Sequence, residues 1–420
     1  MHKITSSGTY ELSGTISDGG IIVDVDKDSD DGQVILIFNG VNITSKTSVP
    51  VYIKSAKDTT IYLQEGSKNY LYDTENVVVN DDDEPKATIF SKDDLEITGS
   101  GYLEINANFN DGINCRDDLK ITGGNIKIIS VQDAVTGKDS VEIANATIEI
   151  SAGKDGIRAT NETDEGKGIL TINNGNINIT KSEEGLEAPS IFINNGRINI
   201  VSSDDGININ KAGGLLTING GDIYVNADGD GLDSNGSIEM TGGNVIVDGP
   251  VGGGDSAIDY DREFNLSGGS IVGVGSSGMA QTAGESSTQP SLLMTFSTSQ
   301  QAGTIISLRD SDGNVIISHQ SAKAFNSTAF SSPELKTGEK YSLFTGDNKV
   351  VEFTLENMVT YLNEEGVTTK PQGFGPGNRG GQRPENFDGQ RPENFDGQKF
   401  QQNPPGERPD KPQEKMAPPQ

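Results

Sequence analysis

A ten-residue phrase recurs through the middle of the chain and limits what it can fold into more than any other feature. It reads LKITGGNIKI at 119–128, LTINNGNINI at 170–179, IFINNGRINI at 191–200, LTINGGDIYV at 216–225 and IEMTGGNVIV at 238–247. Weaker copies stand at 95–105, 141–150 and 264–273, and successive copies start 21 to 29 residues apart. An array of this length sets the architecture before any single residue does. Within each copy apolar residues alternate, as in Leu119, Ile121, Ile126 and Ile128, on both sides of a Gly or Asn pair. That is the pattern of two short strands joined by a bend, with no helical half.

A leucine-rich repeat has a similar period but needs a helical or 3₁₀ return segment, whereas here strands flank both sides of the turn. The nine-residue calcium roll fits no better, because the Gly pairs come only once per repeat. A further apolar series completes the coil: Ile113, Val135, Ile157, Leu186, Ile207, Leu232 and Ile258 each stand a few residues ahead of a copy. The expectation is an all-β parallel β-helix with three short strands per coil, these side chains forming one interior column of strands about 4.8 Å apart.

A hydrophobic content of 32% suits such a narrow solenoid, whose corners are Gly and Asn. Each coil touches only its neighbours, so 420 residues need not be divided into several ordinary domains. We place the β-helix at 1–276, its opening coils up to about residue 90 being an irregular N-terminal cap with strands at 21–25, 34–38, 51–53 and 60–63. A Gly/Ser/Thr/Gln linker follows at 277–290. Longer alternating strands at 291–364, with hairpin signals at Asp312-Gly313-Asn314 and Gly346-Asp347-Asn348, form a small C-terminal antiparallel β module that caps the helix. Residues 365–420 carry ten of the sixteen prolines and the octapeptide GQRPENFD twice, a disordered Pro/Gly/Gln-rich tail or wall-proximal linker.

The net charge is −30, and residues 1–366 carry all of it, with 24 basic and 55 acidic side chains. Such a surface repels nucleic acid and anionic lipid and attracts cations. No apolar run is long enough to span a membrane. A single cysteine, Cys115, excludes an intramolecular disulfide and reads as core, and with only His2 and His319 a Cys/His zinc site is excluded as well. No signal peptide is legible, and the start on Met-His-Lys before a strand-like segment is that expected of a mature or trimmed N-terminus.

The acids are ordered. Two residues before each third-strand apolar position stand Asp111, Asp133, Asp155, Glu184, Asp205 and Asp230, with Ser256 breaking the series. One residue after it stand Asn114, Thr136, Glu187, Asn208, Asp233 and Asp259, with Arg158 departing. Carboxylates one strand apart repel by about 0.9 kcal/mol per pair even in bulk water, so the ladder calls for a positive partner. Calcium takes six to eight oxygens from such donors, and the densest phrase is Asp228-Gly-Asp230-Gly-Leu-Asp233 with Asp204 and Asp205 one coil away. The plain alternative is that Asp-Gly is a good turn pair whose charges splay into solvent or pair with Lys and Arg. The run Asp26-x-Asp28-x-Asp30 has its Gly one place late for an EF-hand, and Asp310-x-Asp312-Gly reads as a hairpin turn.

The Asp-Gly-apolar ladder, the TGGN turns and the phrase FSSPELKTGEKYSLFTG at 330–346 together resemble a family of bacterial cell-surface carbohydrate-binding proteins built on a pectate-lyase-like right-handed parallel β-helix. The resemblance spans roughly 4–362. It implies calcium along the helix corners, a location outside the cell or at its surface, and binding of plant cell-wall polysaccharides, acidic sugars such as polygalacturonate and also cellulose. Carried onto this chain, the calcium positions are Asp111, Asp133, Asp155, Asp205 and Asp230 with Asp233 and Asp259, whereas Ser256 and Arg158 do not fit. Calcium held by the protein would also let two polyanions meet.

With no Trp in the chain, Tyr102, Tyr224 and Tyr260 are the candidate rings for sugar stacking, and Arg158 a candidate sugar contact. Two other functions stay open. A lyase would need a base beside the metal, with Arg158 the one ladder arginine, although that residue sits where it would pair with acids. A structural spacer would use calcium only for rigidity and the tail for attachment to a cell wall.

Overall fold

The computed structural model describes residues 1–77 and 85–370; the acidic run at 81–84 and residues 371–420, most of the expected tail, lie outside them. All regular structure among the described residues is strand. Three strands per coil build three faces. Face I is an eleven-stranded parallel sheet running from His2–Ile4 to Ile258–Tyr260. Its column is the expected one, Ile113, Val135, Ile157, Leu186, Ile207, Leu232 and Ile258 pairing in unbroken register. Face II stacks Leu95, Leu119, Val141, Leu170, Ile191, Leu216, Ile238 and Phe264. Face III stacks Ile105, Ile128, Ile150, Ile179, Ile200, Val225 and Val247.

All of these side chains are buried. Burying one such side chain is worth about 1.5–3 kcal/mol, and a one-residue slip would turn a whole strand's apolar set outward, so the register is strongly specified. β-branched residues dominate because they pack well on a pleated surface.

The opening segment departs from the expected irregular cap. Gly8–Ile16 and Val34–Ser45 each cross a corner in one run, so that residues 34–38 pair along face II and 42–45 along face III. These coils stack in register with the repeats, apart from shifts at Leu12/Gly14 and Val23/Asp24. The loop at 26–32 and the long connection after Lys68–Asp73 hide their period in the sequence.

The corner between faces II and III needs a left-handed backbone residue. Gly99 supplies it with φ 101°, and Asn145, with φ 55°, is the one non-glycine residue of positive φ among the described residues. At Gly99 an added Cβ would lie 2.2 Å from the Leu63 carbonyl oxygen, whereas at Gly40, with φ 83°, it would meet nothing within 4 Å. Gly40→Ala should therefore cost about 1–2 kcal/mol from backbone strain alone, and Gly99→Ala about 3 kcal/mol or more, measured by urea unfolding. Equal losses would show that the clash relaxes away. Beside this corner a side-chain ladder runs along the axis: Asn173 donates to Glu142, Asn194 to Asn173 and Asn219 to Asn194, at 2.8, 2.9 and 2.9 Å, and the Thr241 hydroxyl donates to Asn219.

Residues 277–290, expected as a linker, instead continue the last coil. Gly284 and Thr288 donate to the carbonyls of Phe264 and Leu266, and Thr282, Ala283, Ser287 and Gln289 are buried. Phe325–Ser331 then runs antiparallel to the last face III strand, Ser270–Gly275, and pairs with Ser291–Gln300. Val359–Asn363 adds a further strand and pairs with Gly366–Thr368, so ordered structure extends past residue 364, where the tail was expected to have begun. The two expected hairpins form a four-stranded antiparallel sheet, Ile305–Asp310, Val315–Gln320, Lys340–Thr345 and Asn348–Thr354, over its own buried cluster. Asp248, fully buried at the end of face III, ties this sheet down by accepting from His319 Nε2 at 2.8 Å and the Tyr224 hydroxyl at 2.7 Å. Burial alone would raise its pKa, but these hydrogen bonds outweigh it and hold the carboxyl below its ordinary range.

Candidate functional site

Five of the six ladder acids enter face I through an acid-Gly-apolar step, Asp133 being followed instead by Ala134, and at Gly206 and Gly231 the glycine is demanded by packing. A Cβ on Gly206 would lie 2.2 Å from Val225 Cγ1 and 2.6 Å from the Gly231 carbonyl; on Gly231 it would lie 2.1 Å from Val247 Cγ1. The chain therefore comes close to face III at this corner, and the preceding acid is held at its rim. The backbone bonds there pair acid with acid: Gly112 donates to the Asp133 carbonyl, Ala134 to Asp155, Gly156 to Glu184, Gly185 to Asp205 and Gly206 to Asp230. Asp111, Asp133, Asp155, Glu184, Asp205 and Asp230 thus line one edge, as the sequence implied.

Part of each carboxylate is used by the coil itself. One oxygen of Asp133 accepts the Asp155 amide at 3.2 Å, Asp155 the Glu184 amide at 3.4 Å, Asp205 the Asp230 amide at 2.7 Å, and Asp230 the Ser256 amide. What faces the other oxygen divides the edge in two. In the first half Arg158 lies 2.7 Å from Asp155, 3.3 Å from Asp133 and 3.4 Å from Glu187, a built-in cation where other coils carry Asn, Thr, Glu or Asp. Burial would lower its pKa, but Asp133, Glu187 and Asp155 outweigh that and raise it, which makes it a poor proton acceptor. Arg158 is thus held among the acids as their counterion. Asp111 is bonded by Asn114 at 2.8 Å, and its carboxyl is pushed up to about 7 by burial and then by Asp133.

In the second half no Lys or Arg among the described residues takes that place. Asp230, Asp233 and Asp259 offer carboxylate oxygens within 4.8 Å of one another. Burial, followed by the charge of acidic neighbours, pushes Asp230 to about 8 and Asp233 to about 7. Asp205, one coil before, is pushed to about 6 by burial first, with Asp204, Asp255 and Asp259 adding to it. Asn208, in register with Asp233 and only 9% exposed, has its Oδ1 buried without a hydrogen-bond partner. Three carboxylates and an orphaned amide oxygen, with no nitrogen or sulfur ligand among them, form the donor set that suits a hard divalent cation such as calcium. Asp155, Glu184 and Glu187 make a similar group, but the guanidinium of Arg158 already sits against two of them.

Asp228 and Asp204 do not join this cluster. Asp228 has a side chain 69% exposed and pairs with Lys323 at 2.7 Å, because that lysine is fixed alongside by the Ala227 carbonyl; Asp204 is exposed. The candidate rings also part company. Tyr260 packs edge-on against Phe264 and donates to the Thr282 carbonyl at 2.9 Å, so its ring is part of the last coil rather than an open platform. Tyr224 is tied to Asp248, and Tyr102 lies on face III, a different sheet from the acid edge. Sequence reading missed Asn208 as an orphan and Gln281, which donates to Asp259 from the next turn of chain. Asn208 was visible in the second row of the ladder, but its missing partner was not.

Beside the first half of the edge lies a cleft of about 610 Å³ whose walls include Asn114, Arg116, Thr136, Lys138, Arg158 and Thr160. Face I therefore mixes cations with acids in its first half, Asp111, Asp133 and Glu162 sharing the cleft walls, and carries an acid cluster in its second.

A parallel β-solenoid with an ordered polar edge of this kind is the class of fold that presents one long face to a linear ligand. The chain belongs to the family of carbohydrate-binding domain-containing proteins, whose model matches residues 1–249 and 189–331. A carbohydrate-binding domain-containing protein of Acetivibrio thermocellus is 48% identical over 128 residues, which is 30% of this chain and 44% of that protein, so the chain spans under half the length of that relative. A solved structure described as a polysaccharide lyase-like protein from C. thermocellum, gadolinium derivative, is 32% identical, covering 64% of this chain and 83% of that one, with a TM-score of 0.41.

Proposed function

We propose that the protein is an extracellular or cell-surface, calcium-dependent binder of plant cell-wall polysaccharide, taking acidic sugars such as polygalacturonate along face I. The observation that carries this reading is the contrast within the acid edge: Arg158 sits against the acids of one half, while among the described residues no Lys or Arg forms a salt bridge with Asp230, Asp233 or Asp259. Calcium held there, with Asn208 as a further donor, would reverse the local sign of charge and offer coordination sites to a uronate carboxylate. From the Thr136 row to the Asp233 row is four coils, roughly 20 Å at the spacing of stacked strands, the reach of a short oligosaccharide. One uronate chain would then meet the cleft cations at one end and the metal at the other. No helix among the described residues is long and apolar enough to cross a membrane.

The test is retention on insoluble polygalacturonate with calcium and with chelator, followed by ultraviolet absorbance for unsaturated product. Calcium-dependent retention without product is expected. Product would turn the reading to a lyase, and calcium-dependent melting without retention to a structural spacer.

A further inference from the structure

The corner that carries the axial asparagine ladder also holds a peptide nitrogen against the side chain that precedes it. Five Asn-Gly steps occur in the chain, at Asn39, Asn174, Asn195, Asn219 and Asn235. In four of them one of the two groups is engaged elsewhere. Asn39 donates to Glu11 at 2.9 Å while the Gly40 amide donates to Asn69 at 3.1 Å, and Asn174 accepts the Asn145 amide. Asn219 is bonded at both ends of its carboxamide, donating to Asn194 and accepting from Thr241. At Asn235 the following nitrogen is committed, because the Gly236 amide donates to the Ser234 hydroxyl at 3.2 Å. Asn195 differs. It is exposed, and its carboxamide folds over the next peptide so that the Gly196 amide donates to Asn195 Oδ1 at 2.8 Å. Cγ is one bond from that oxygen, so the same fold brings the Gly196 nitrogen within reach of the carbon in a near-attack arrangement. Gly196, with φ 124°, has no Cβ to hold the two apart.

We propose that Asn195 is a site of spontaneous covalent modification, deamidating through a cyclic imide ahead of the other four Asn-Gly steps. Hydroxide takes the proton of the Gly196 amide, the nitrogen bonds to Asn195 Cγ, and the Cγ–Nδ2 bond breaks as ammonia leaves. Water then opens the five-membered ring at either carbonyl, giving aspartate or isoaspartate; one water is consumed, one ammonia is released and nothing is oxidised. The two products act differently on the fold. Aspartate adds a charge at an exposed position, whereas isoaspartate lengthens the main chain by one atom at a corner stacked closely on both sides. There Arg197 donates to the Gly175 carbonyl and Asp222 to the Gly196 carbonyl, each at 2.8 Å, and a Cβ on Gly221 would lie 2.8 Å from that same Gly196 oxygen. Isoaspartate at 195 therefore loosens the coils on either side, an ageing step that acts on the solenoid independently of any ligand.

The experiment is peptide-mapping mass spectrometry of the full chain during incubation at pH 8, with a urea-unfolded sample run in parallel and melting temperature followed on the folded one. In the folded protein Asn195 should convert at least tenfold faster than Asn39, Asn174, Asn219 or Asn235, and yield both isoaspartate and aspartate. Unfolded, the five should convert at similar rates. The melting temperature should fall in step with isoaspartate at 195, and Asn195→Gln, which would have to close a larger ring, should hold its melting temperature over the same period. A folded protein in which Asn195 converts no faster than the other four would overturn the proposal. So would a lead for Asn195 that is equally large in urea, which would assign it to local sequence rather than to the fold. A melting temperature that stays constant while isoaspartate accumulates would overturn the loosening of the corner.

Discussion

Stripped of divalent cations, the protein should melt at a lower temperature at pH 8 than at pH 5, and added calcium should abolish the difference. Glu184 and Asp230 are pushed up to about 8, Asp111, Asp155 and Asp233 to about 7, and Asp205 to about 6, in each case by burial before charge repulsion. In the unfolded chain the same groups ionise near pH 4. Between those limits the folded state holds protons that the unfolded state has released, so stability falls as pH rises from about 4 and the loss is complete above about 8. Allowing for partial solvent screening and for Arg158 beside Asp155, the total is on the order of 3 kcal/mol, or about 4 °C for a chain of this size. Asp248 titrates in the opposite sense, but its carboxyl lies below the ordinary range and is ionised at both pH values, so it leaves the trend intact. Calcium at a hundredfold over its dissociation constant returns about 2.7 kcal/mol. Asp230→Asn/Asp233→Asn should make the pH profile shallower, leaving the share of Glu184, Asp111, Asp155 and Asp205, and remove the calcium response. A flat profile in the chelated wild-type protein would mean that some other group neutralises this edge.

Replacing Arg158 should be the most damaging single change on face I. Arg158→Ala would leave Asp133, Asp155 and Glu187 together without their counterion, and breaking a buried pair costs about 3–5 kcal/mol. With the arginine side chain 23% exposed, water takes up part of that cost, and about 2–3 kcal/mol is expected by urea unfolding at pH 8. The loss should shrink at pH 5, where Asp155 regains its proton. Arg158→Asn, which restores the residue type that other coils carry, should recover part of the stability when calcium is added. A loss equally large at both pH values and indifferent to calcium would mark Arg158 as a packing residue whose charge is incidental.

What the sequence shows of this molecule follows from periodicity. The Ile113 to Ile258 column, the paired strands around each Gly or Asn turn and the acid edge all recur at nearly fixed intervals, so a stacking rule suffices to place them. The opening coils and their strands at 21–25, 34–38, 51–53 and 60–63 were legible, but not their regularity, because the loop at 26–32 and the connection after Lys68–Asp73 break the interval, although Val34, Thr59 and Leu95 stand in the same register as the rest. Residues 277–290 lack alternation because they follow the last coil through hydrogen bonds from Gly284 and Thr288 rather than through an apolar stripe. At the site, a ladder of acids shows which side chains are neighbours but not which oxygen each has committed. That Arg158 pairs with its acidic neighbours follows from the ladder, but that Asp228 turns to Lys323, nearly a hundred residues away, depends on a contact with no sequence period.

The antiparallel placement of Phe325–Ser331 across Ser270–Gly275 has one more consequence. A stack of parallel rungs is a template at both termini, and two such chains could otherwise add head to tail into fibrils held by main-chain hydrogen bonds. A strand of opposite direction cannot be continued by another rung of the same kind. The reversal therefore acts as a polymerisation stop, and a chain ending before Ser291 would lose it and grow into filaments.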